Sequence, residues 1–182
     1  MLARRRSSYS FGPKPTLADL ASLLHHGVGA APRAGGLPSF VPFVVTRGLD
    51  GLAPGVHLGD LRLPRPGLAA VRLGDPTAYL GQSLDQPPFA VRVPLWLALV
   101  ANLEAARSRY PPRHYRTLHV DAGAALQNVL LVATARGLPV CPVMGYDDSA
   151  LHQLLDLEEH SFVTVLVAVG GSGRRSHAPP QP

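Results

Sequence analysis

The chain is poor in the groups that most often carry catalysis on their own. Cys141 is the single cysteine, which leaves no disulfide framework and no cysteine-based metal knuckle. Histidines are present but not in ligand order: His25-His26 falls at a helix end, and His114 and His119 are five apart, so no metal site is expected. Carboxylates are few, and the pairs Asp147-Asp148 and Glu158-Glu159 are sequence neighbours. Neighbours do not face each other on a helix or strand, which argues against an acid/base dyad. Gly171-Ser172-Gly173 lacks the strand–elbow–helix setting of a hydrolase nucleophile, and no helix follows it to complete a dinucleotide fingerprint. No stretch is expected to reach the ~18 apolar residues needed to cross a bilayer. The Arg-rich N-terminus has no apolar h-region, so a cytoplasmic protein without a targeting segment is expected.

Aromatic residues are also sparse, at 6%, and charged residues reach only 16% against 46% apolar. Core and interfaces must therefore rest on Leu, Val and Ala. The shortage of solvating charge is what a partner subunit covering part of the surface would produce. Lysine is nearly absent, with Lys14 alone, so the net charge of +5 comes from arginine. Arginine suits forked contacts with phosphate and carboxylate. These residues gather at Arg4–Arg6, Arg107–Arg116 and Arg174–Arg175. No stacking pattern or nucleic-acid motif accompanies them, and an anionic cofactor or substrate held from distant segments explains the dispersal better.

At 182 residues one domain with a sizeable core is expected. Thr16 with Asp19 three residues on reads as a helix start, with a stop at Gly27. Ala30–Ser39, with Gly35-Gly36, reads as a loop whose backbone approaches something closely. Phe40–Thr46 reads as a strand in which Pro42 marks an edge or an irregular start. Turns are expected at Asp50-Gly51 and Pro54-Gly55, and a hairpin turn at Gly59-Asp60. A short helix follows near Pro76–Leu84, then a strand over Ala90–Leu97, a helix over Leu99–Ala106, a helix near Ser149–Leu155 and a strand over Phe162–Val169. The sum is an α+β fold, a small mixed or antiparallel sheet surrounded by helices, with a tail disordered beyond residue 175.

The densest stretch is Arg109-Tyr110-Pro-Pro-Arg113-His-Tyr115-Arg116, leading into a helix that ends near Gly137. From Ala122 to Ala135 its only strongly polar residues are Gln127 and Asn128. Such a helix is expected to lie in a core or an interface. Its two amides then need partners, because an unpaired buried amide costs about 1–3 kcal/mol.

Arg5-Arg6-Ser7-Ser8-Tyr9 resembles the opening of flavin-dependent nitroreductase-fold enzymes. Pro32-Arg-Ala-Gly35-Gly36-Leu37 and Gly51-Leu-Ala-Pro-Gly55-Val-His57 resemble segments of their SagB/McbC-type branch, the azoline dehydrogenases of peptide natural-product pathways. Arg109-Tyr110, Gly123, Gln127-Asn128, Gly137-Leu138 and Pro142-Val-Met144-Gly145-Tyr-Asp-Asp148 follow in that branch's order. The resemblance spans residues 4–175. It implies a nitroreductase-like FMN-binding domain over residues 1–175, with FMN at the interface of a homodimer. Arg5, Arg6 and Ser7 would hold the FMN phosphate and ribityl or pyrimidine edge, with Arg174 or Arg175 closing the phosphate site. Gly35 and Gly36 would line the isoalloxazine, Met144 and Gly145 would reach the N5 region, and Asn128 would sit near cofactor and dimer contact. The branch's catalytic Lys-Tyr pair reads Arg109-Tyr110 here.

The expected function is therefore FMN-dependent oxidation of thiazoline or oxazoline to thiazole or oxazole in a peptide precursor, with a cyclodehydratase as a possible partner in a biosynthetic complex. Arginine is always protonated and a poor general base. That substitution keeps open an NAD(P)H-dependent reductase of dehydroamino acids or nitro/quinone compounds. A degenerate, flavin-free scaffold subunit is the reading from a different class.

Overall fold

The computed structural model describes residues 2–61, 67–104, 107, 110 and 112–173. Six strands form one sheet: β1 Phe40–Thr46, β2 Gly55–Asp60, β3 Gly67–Leu73, β4 Leu95–Asn102, β5 Val140–Val143 and β6 Ser161–Val169. Their order is β3-β2-β1-β4-β6-β5, and every pairing is antiparallel. Five α-helices flank it: α1 Leu17–Ser22, α2 Thr77–Ser83, α3 Pro88–Arg92, α4 Tyr115–Arg136 and α5 Asp148–Leu155.

The centre of the sheet explains the layering. β4 alternates Leu95, Leu97, Leu99 and Ala101 toward one core with Trp96, Ala98 and Val100 toward the other. The first core is closed by α1, α4 and the segment after α1, the second by α2, α3 and α5. A strand apolar on both faces has no visible period of two, and a continuous apolar run cannot be told from a buried helix by periodicity. That is why the expected strand over Ala90–Leu97 and helix over Leu99–Ala106 are both displaced: Pro88–Arg92 is helical and the strand runs to Asn102.

Other boundaries shift for local reasons. Thr16 does cap α1, with the reciprocal Asp19 contact present. The chain does not stop at Gly27; it continues as a π-helix over Leu23–Gly29. Gly27 is there because Val129 of α4 packs on it, 2.7 Å from where a Cβ would stand. The expected hairpin at Gly59-Asp60 is instead the end of β2, whose Asp60 pairs with Gly67 of β3. β1 is an interior strand, not an edge, and Pro42 is accommodated at its start, where the ladder to β2 has not yet begun. The helix near Pro76–Leu84, the helix near Ser149–Leu155 and the strand over Phe162–Val169 stand as expected.

α4 is less buried than its sequence implies. An 18-residue window has mean hydropathy 1.2, so this helix is long and apolar enough to cross a membrane, contrary to expectation. A place in the core accounts for that composition on one side only, through Leu118, Ala122, Ala125, Val129, Leu130 and Ala133. On the outer side Val120 is 70% exposed, Gly123 is exposed, and Gln127 and Asn128 are half-buried. The two amides are thus not the buried polar groups; Asp121 is. Gly137 ends the helix in the left-handed conformation, φ 69°.

Candidate functional site

The N-terminal arm precedes α1 and is stitched into the sheet's end. The Ser8 N–H donates to the Val140 carbonyl at 2.9 Å, and the Gly171 N–H donates to Pro13 at 2.7 Å. Gly170 lies directly on the Phe11 carbonyl, where no side chain fits. This seam holds Arg4, Arg5, Arg6 and Ser8 over Thr134, Gly137, Leu138 and Pro139, around a cleft of about 540 Å³. The carbonyl end of α4 also faces this cleft and repels anions. Three guanidiniums outweigh it, which makes the cleft suited to phosphate.

A second cleft of about 190 Å³ adjoins the first across the Ser8–Val140 bond. Its walls are Tyr9, Leu84–Gln86, Phe89 and Cys141–Gly145. Phe89 is gripped by Tyr9 and Phe11, with ring centroids at 6.2 and 5.8 Å. The Asp85 N–H donates to the Gly145 carbonyl at 3.1 Å, and Gly145 is small because Asp85 stands 2.7 Å from its Cβ position. Met144 is 66% exposed at the mouth.

Cys141 lines this second cleft, and Tyr146 follows its last residue, Gly145. Burial pushes the Cys141 thiol up, with a hydrogen bond from Ser7 opposing it only in part, so the reactive thiolate is suppressed. Burial, with Asp148 nearby, pushes the Tyr146 phenol up to about 12; its hydroxyl donates to the Val163 carbonyl at 3.1 Å.

The loop Arg33–Ser39 lies at the other end of α4. Gly35 and Gly36 adopt φ 61° and 67°, and a Cβ on Gly35 would be 2.5 Å from the Tyr110 hydroxyl. The loop backbone thus does approach something closely, and it is Tyr110. That ring stacks on His114 at 4.7 Å and 14°. His114 is 7% exposed, and its Nε2 is buried without a hydrogen-bond partner. Burial lowers the pKa of Arg33, with Asp121 opposing that shift; its guanidinium lies 4.3 Å over the Phe40 ring.

Within one chain the expected site residues therefore fall into two groups. Arg5, Arg6, Ser7, Met144 and Gly145 meet around the start and end of β5, whereas Gly35, Gly36 and Tyr110 meet near the start of α4. Asp121, bonded to the glycine loop, and Thr134, on the Arg cleft, are thirteen helical residues apart, about 20 Å along the axis. Asn128 lies between them, half-buried. Arg109, Arg174 and Arg175 lie outside the described residues. The sequence reading missed Asp121, His114, Asp85 and Phe89. Asp121 had a signal, as an acid at the head of an apolar helix; the others show only as neighbours in space.

The pattern that defines the nitroreductase family matches residues 2–171. The chain belongs to the nitroreductase family. A nitroreductase-type protein of Methanocaldococcus jannaschii is 25% identical over 177 residues, covering 92% of this chain and 88% of that one. A nitroreductase-type structure from Anabaena variabilis superposes with TM-score 0.82 at 21% identity, over 93% of this chain but only 37% of that longer one. The Escherichia coli microcin synthetase McbBCD complex with truncated pro-MccB17 bound contains a chain that superposes with TM-score 0.79 at 22% identity, over 94% of this chain and 70% of that one. The fold is nitroreductase-like, with its six-stranded antiparallel sheet between helices.

Proposed function

We propose that this nitroreductase-family protein is an FMN-dependent oxidoreductase that acts as a homodimer on a peptide natural-product precursor, oxidising thiazoline or oxazoline rings to thiazoles or oxazoles. The observation that carries the cofactor assignment is the pair of adjoining clefts across the Ser8–Val140 bond. One is guanidinium-lined and suits a phosphate. The other is walled by Phe89, Tyr9 and the Met144-Gly145 backbone and suits a flat ring. Arg5 and Arg6, with Arg174 or Arg175, would hold the phosphate end, Ser7 the ribityl or pyrimidine edge, and Met144-Gly145 the ring.

The homodimer is supported by the division of the site. Gly36 presents bare backbone, with nothing within 4 Å of a Cβ there, but it lies about 20 Å along α4 from the Arg cleft of its own chain. A second copy brings its own glycine loop and Tyr110 to that cleft. The half-covered apolar side of α4, with Val120, Gly123, Gln127 and Leu131, is the surface available for it.

FMN, when bound, supplies the two-electron acceptor that oxygen can regenerate. The chain contributes Tyr110 as the proton carrier and Arg109, always cationic, to orient the substrate or stabilise developing negative charge. The azoline reading is supported by the order of motifs and by the likeness to a chain of the microcin synthetase complex with truncated pro-MccB17 bound; a cyclodehydratase is the partner it implies. The domain would extend over residues 1–175.

A second reading is favoured by Arg109 in place of lysine: an NAD(P)H-dependent reductase of dehydroamino acids or nitro/quinone compounds. One experiment orders the readings. The purified protein is examined for yellow flavin absorbance and for mass in solution, then mixed anaerobically with NAD(P)H. A yellow dimer that resists bleaching and oxidises a thiazoline peptide supports azoline oxidation. Rapid bleaching by the nicotinamide supports the reductase. A protein that takes up no flavin leaves the scaffold reading.

A further inference from the structure

Asp121 is a buried carboxyl group in an apolar setting. It lies in the first half of α4, 6% exposed, on a helix whose other core-facing residues, from Leu118 to Ala133, are all apolar. Burying such a group costs stability unless hydrogen bonds replace those it made to water. Among the described residues, its hydrogen bonds come from one loop. The Ala34 N–H donates to its Oδ2 at 3.0 Å, the Ser39 hydroxyl donates to the same oxygen at 2.7 Å, and the Arg33 guanidinium lies within its field.

The loop's own backbone bonds are short-range: the Gly36 N–H donates to Arg33, the Leu37 N–H to Ala34 and the Ser39 N–H to Leu37. It makes a single 3-10 turn over Ala34–Gly36, and both glycines sit at positive φ, a conformation glycine leaves as readily as it enters. The same loop carries the Gly35 backbone against the Tyr110 hydroxyl. Tyr110 is in turn stacked on His114, which immediately precedes α4 and stands two helical turns before Asp121. Loop and tyrosine are thus both referenced to the same end of one helix.

We propose that Asp121 is a positioning residue, which from within α4 holds the Ala34–Ser39 loop so that the Gly35 backbone stays against the Tyr110 hydroxyl. The inference rests on the reading of Gly35, Gly36 and Tyr110 as parts of the reaction pocket. It adds a carboxylate that never touches the reacting atoms, yet fixes the spacing of two segments that do.

The test compares the full-length wild-type protein with Asp121→Asn, which removes the charge at constant shape, and Ser39→Ala, which removes one bond without disturbing α4. Hydrogen–deuterium exchange is followed on peptides spanning 33–40 and 122–135. FMN affinity is measured by titration. Turnover is measured with a short synthetic peptide carrying one thiazoline, and with NADPH plus a nitroaromatic for the reductase reading. Expected in both variants are at least tenfold faster exchange in the loop, unchanged exchange in α4, FMN affinity within threefold, and kcat lowered at least tenfold for Asp121→Asn at constant KM. Unchanged loop exchange overturns the inference, and so does faster exchange with unchanged kcat. If Asp121→Asn does not fold, Ser39→Ala decides on the same readouts, with kcat lowered at least threefold. A wild-type protein that takes up no FMN overturns the proposed function and this inference with it, whereas a flavin-loaded wild type beside variants of unchanged exchange overturns this inference alone.

Discussion

Arg136, the last residue of α4, reaches Asp19 of α1 at 2.7 Å, across 117 positions of sequence. Asp19 is already committed locally: its Oδ2 accepts from the Thr16 N–H at 2.9 Å and from the Thr16 hydroxyl at 2.8 Å. One carboxylate thus caps the start of α1 and ties it to the end of the longest helix, beside Thr134 and Gly137 of the Arg cleft.

Removing Asp19 tests that tie. Burial raises its pKa, but the Thr16 bonds and Arg136 together win and hold it below the ordinary value. A depressed folded pKa means stabilisation that is complete above the unfolded value, about 3.9, and is lost as pH falls through the lower folded value. Asp19→Ala is expected to cost about 1–2 kcal/mol near pH 7, as N-terminal capping losses do. Urea unfolding at stepped pH should show the gap between wild type and Asp19→Asn closing below about pH 4. A gap that stays constant into acid would show that Asp19 is not the linked group.

How far the sequence disclosed this arrangement differs by residue. Thr16 and Asp19 were legible because capping is a contact of three residues' range. Gly35 and Gly36 were legible as a loop, and Tyr110 as its chemistry-bearing candidate, but not as neighbours, since only the fold brings positions 35 and 110 together. β4 is not legible as a strand because burial on both faces hides its alternation. An apolar run like that of α4 implies cover on every side, which would bury Gln127 and Asn128, whereas the fold covers one side and leaves both half-buried. The sequence marks which residues avoid water, but not whether its own chain or another covers them. The division of the site follows the same rule: motif order groups Arg5, Gly35 and Gly145 around one cofactor at a dimer interface, and within one chain they lie toward opposite ends of α4.

Gly170 makes the arm's attachment testable. A Cβ there would fall on the Phe11 carbonyl, which is backbone and cannot rotate away. Gly170→Ala is expected to lose about 1–3 kcal/mol in thermal or urea unfolding, the usual cost of overpacking. It should also loosen Arg4–Arg6 and weaken FMN binding. Gly173, with nothing within 4 Å of its Cβ position, is the control: Gly173→Ala should leave both measurements as in wild type.

The guanidinium cleft predicts how affinity divides between FMN and riboflavin. Losing one charge-assisted bond to phosphate costs about 1.5–3 kcal/mol, or roughly ten- to a hundredfold. Arg5→Ala and Arg6→Ala should each weaken FMN by at least the lower figure and leave riboflavin affinity unchanged. The loss should shrink as salt rises, because screening acts on the wild-type contact. Equal losses for both flavins would place the phosphate outside the Arg4–Arg6 cleft.

Tyr110→Phe isolates a single hydroxyl. The ring that stacks on His114 at 4.7 Å is kept, and the only atom removed is the oxygen facing Gly35. A positioned proton carrier contributes typically 10²–10⁴-fold. Turnover in this variant should therefore fall by about that range, with FMN affinity and melting temperature unchanged. The form of the loss matters as much as its size. If the hydroxyl acts only in the transition state, kcat and kcat/KM fall together, whereas a lost substrate contact raises KM alone. A rise in KM without loss of kcat would make Tyr110 a binding residue and leave the proton to solvent. Unchanged turnover would remove Tyr110 from the mechanism altogether and leave the stacked pair as a support for the glycine loop.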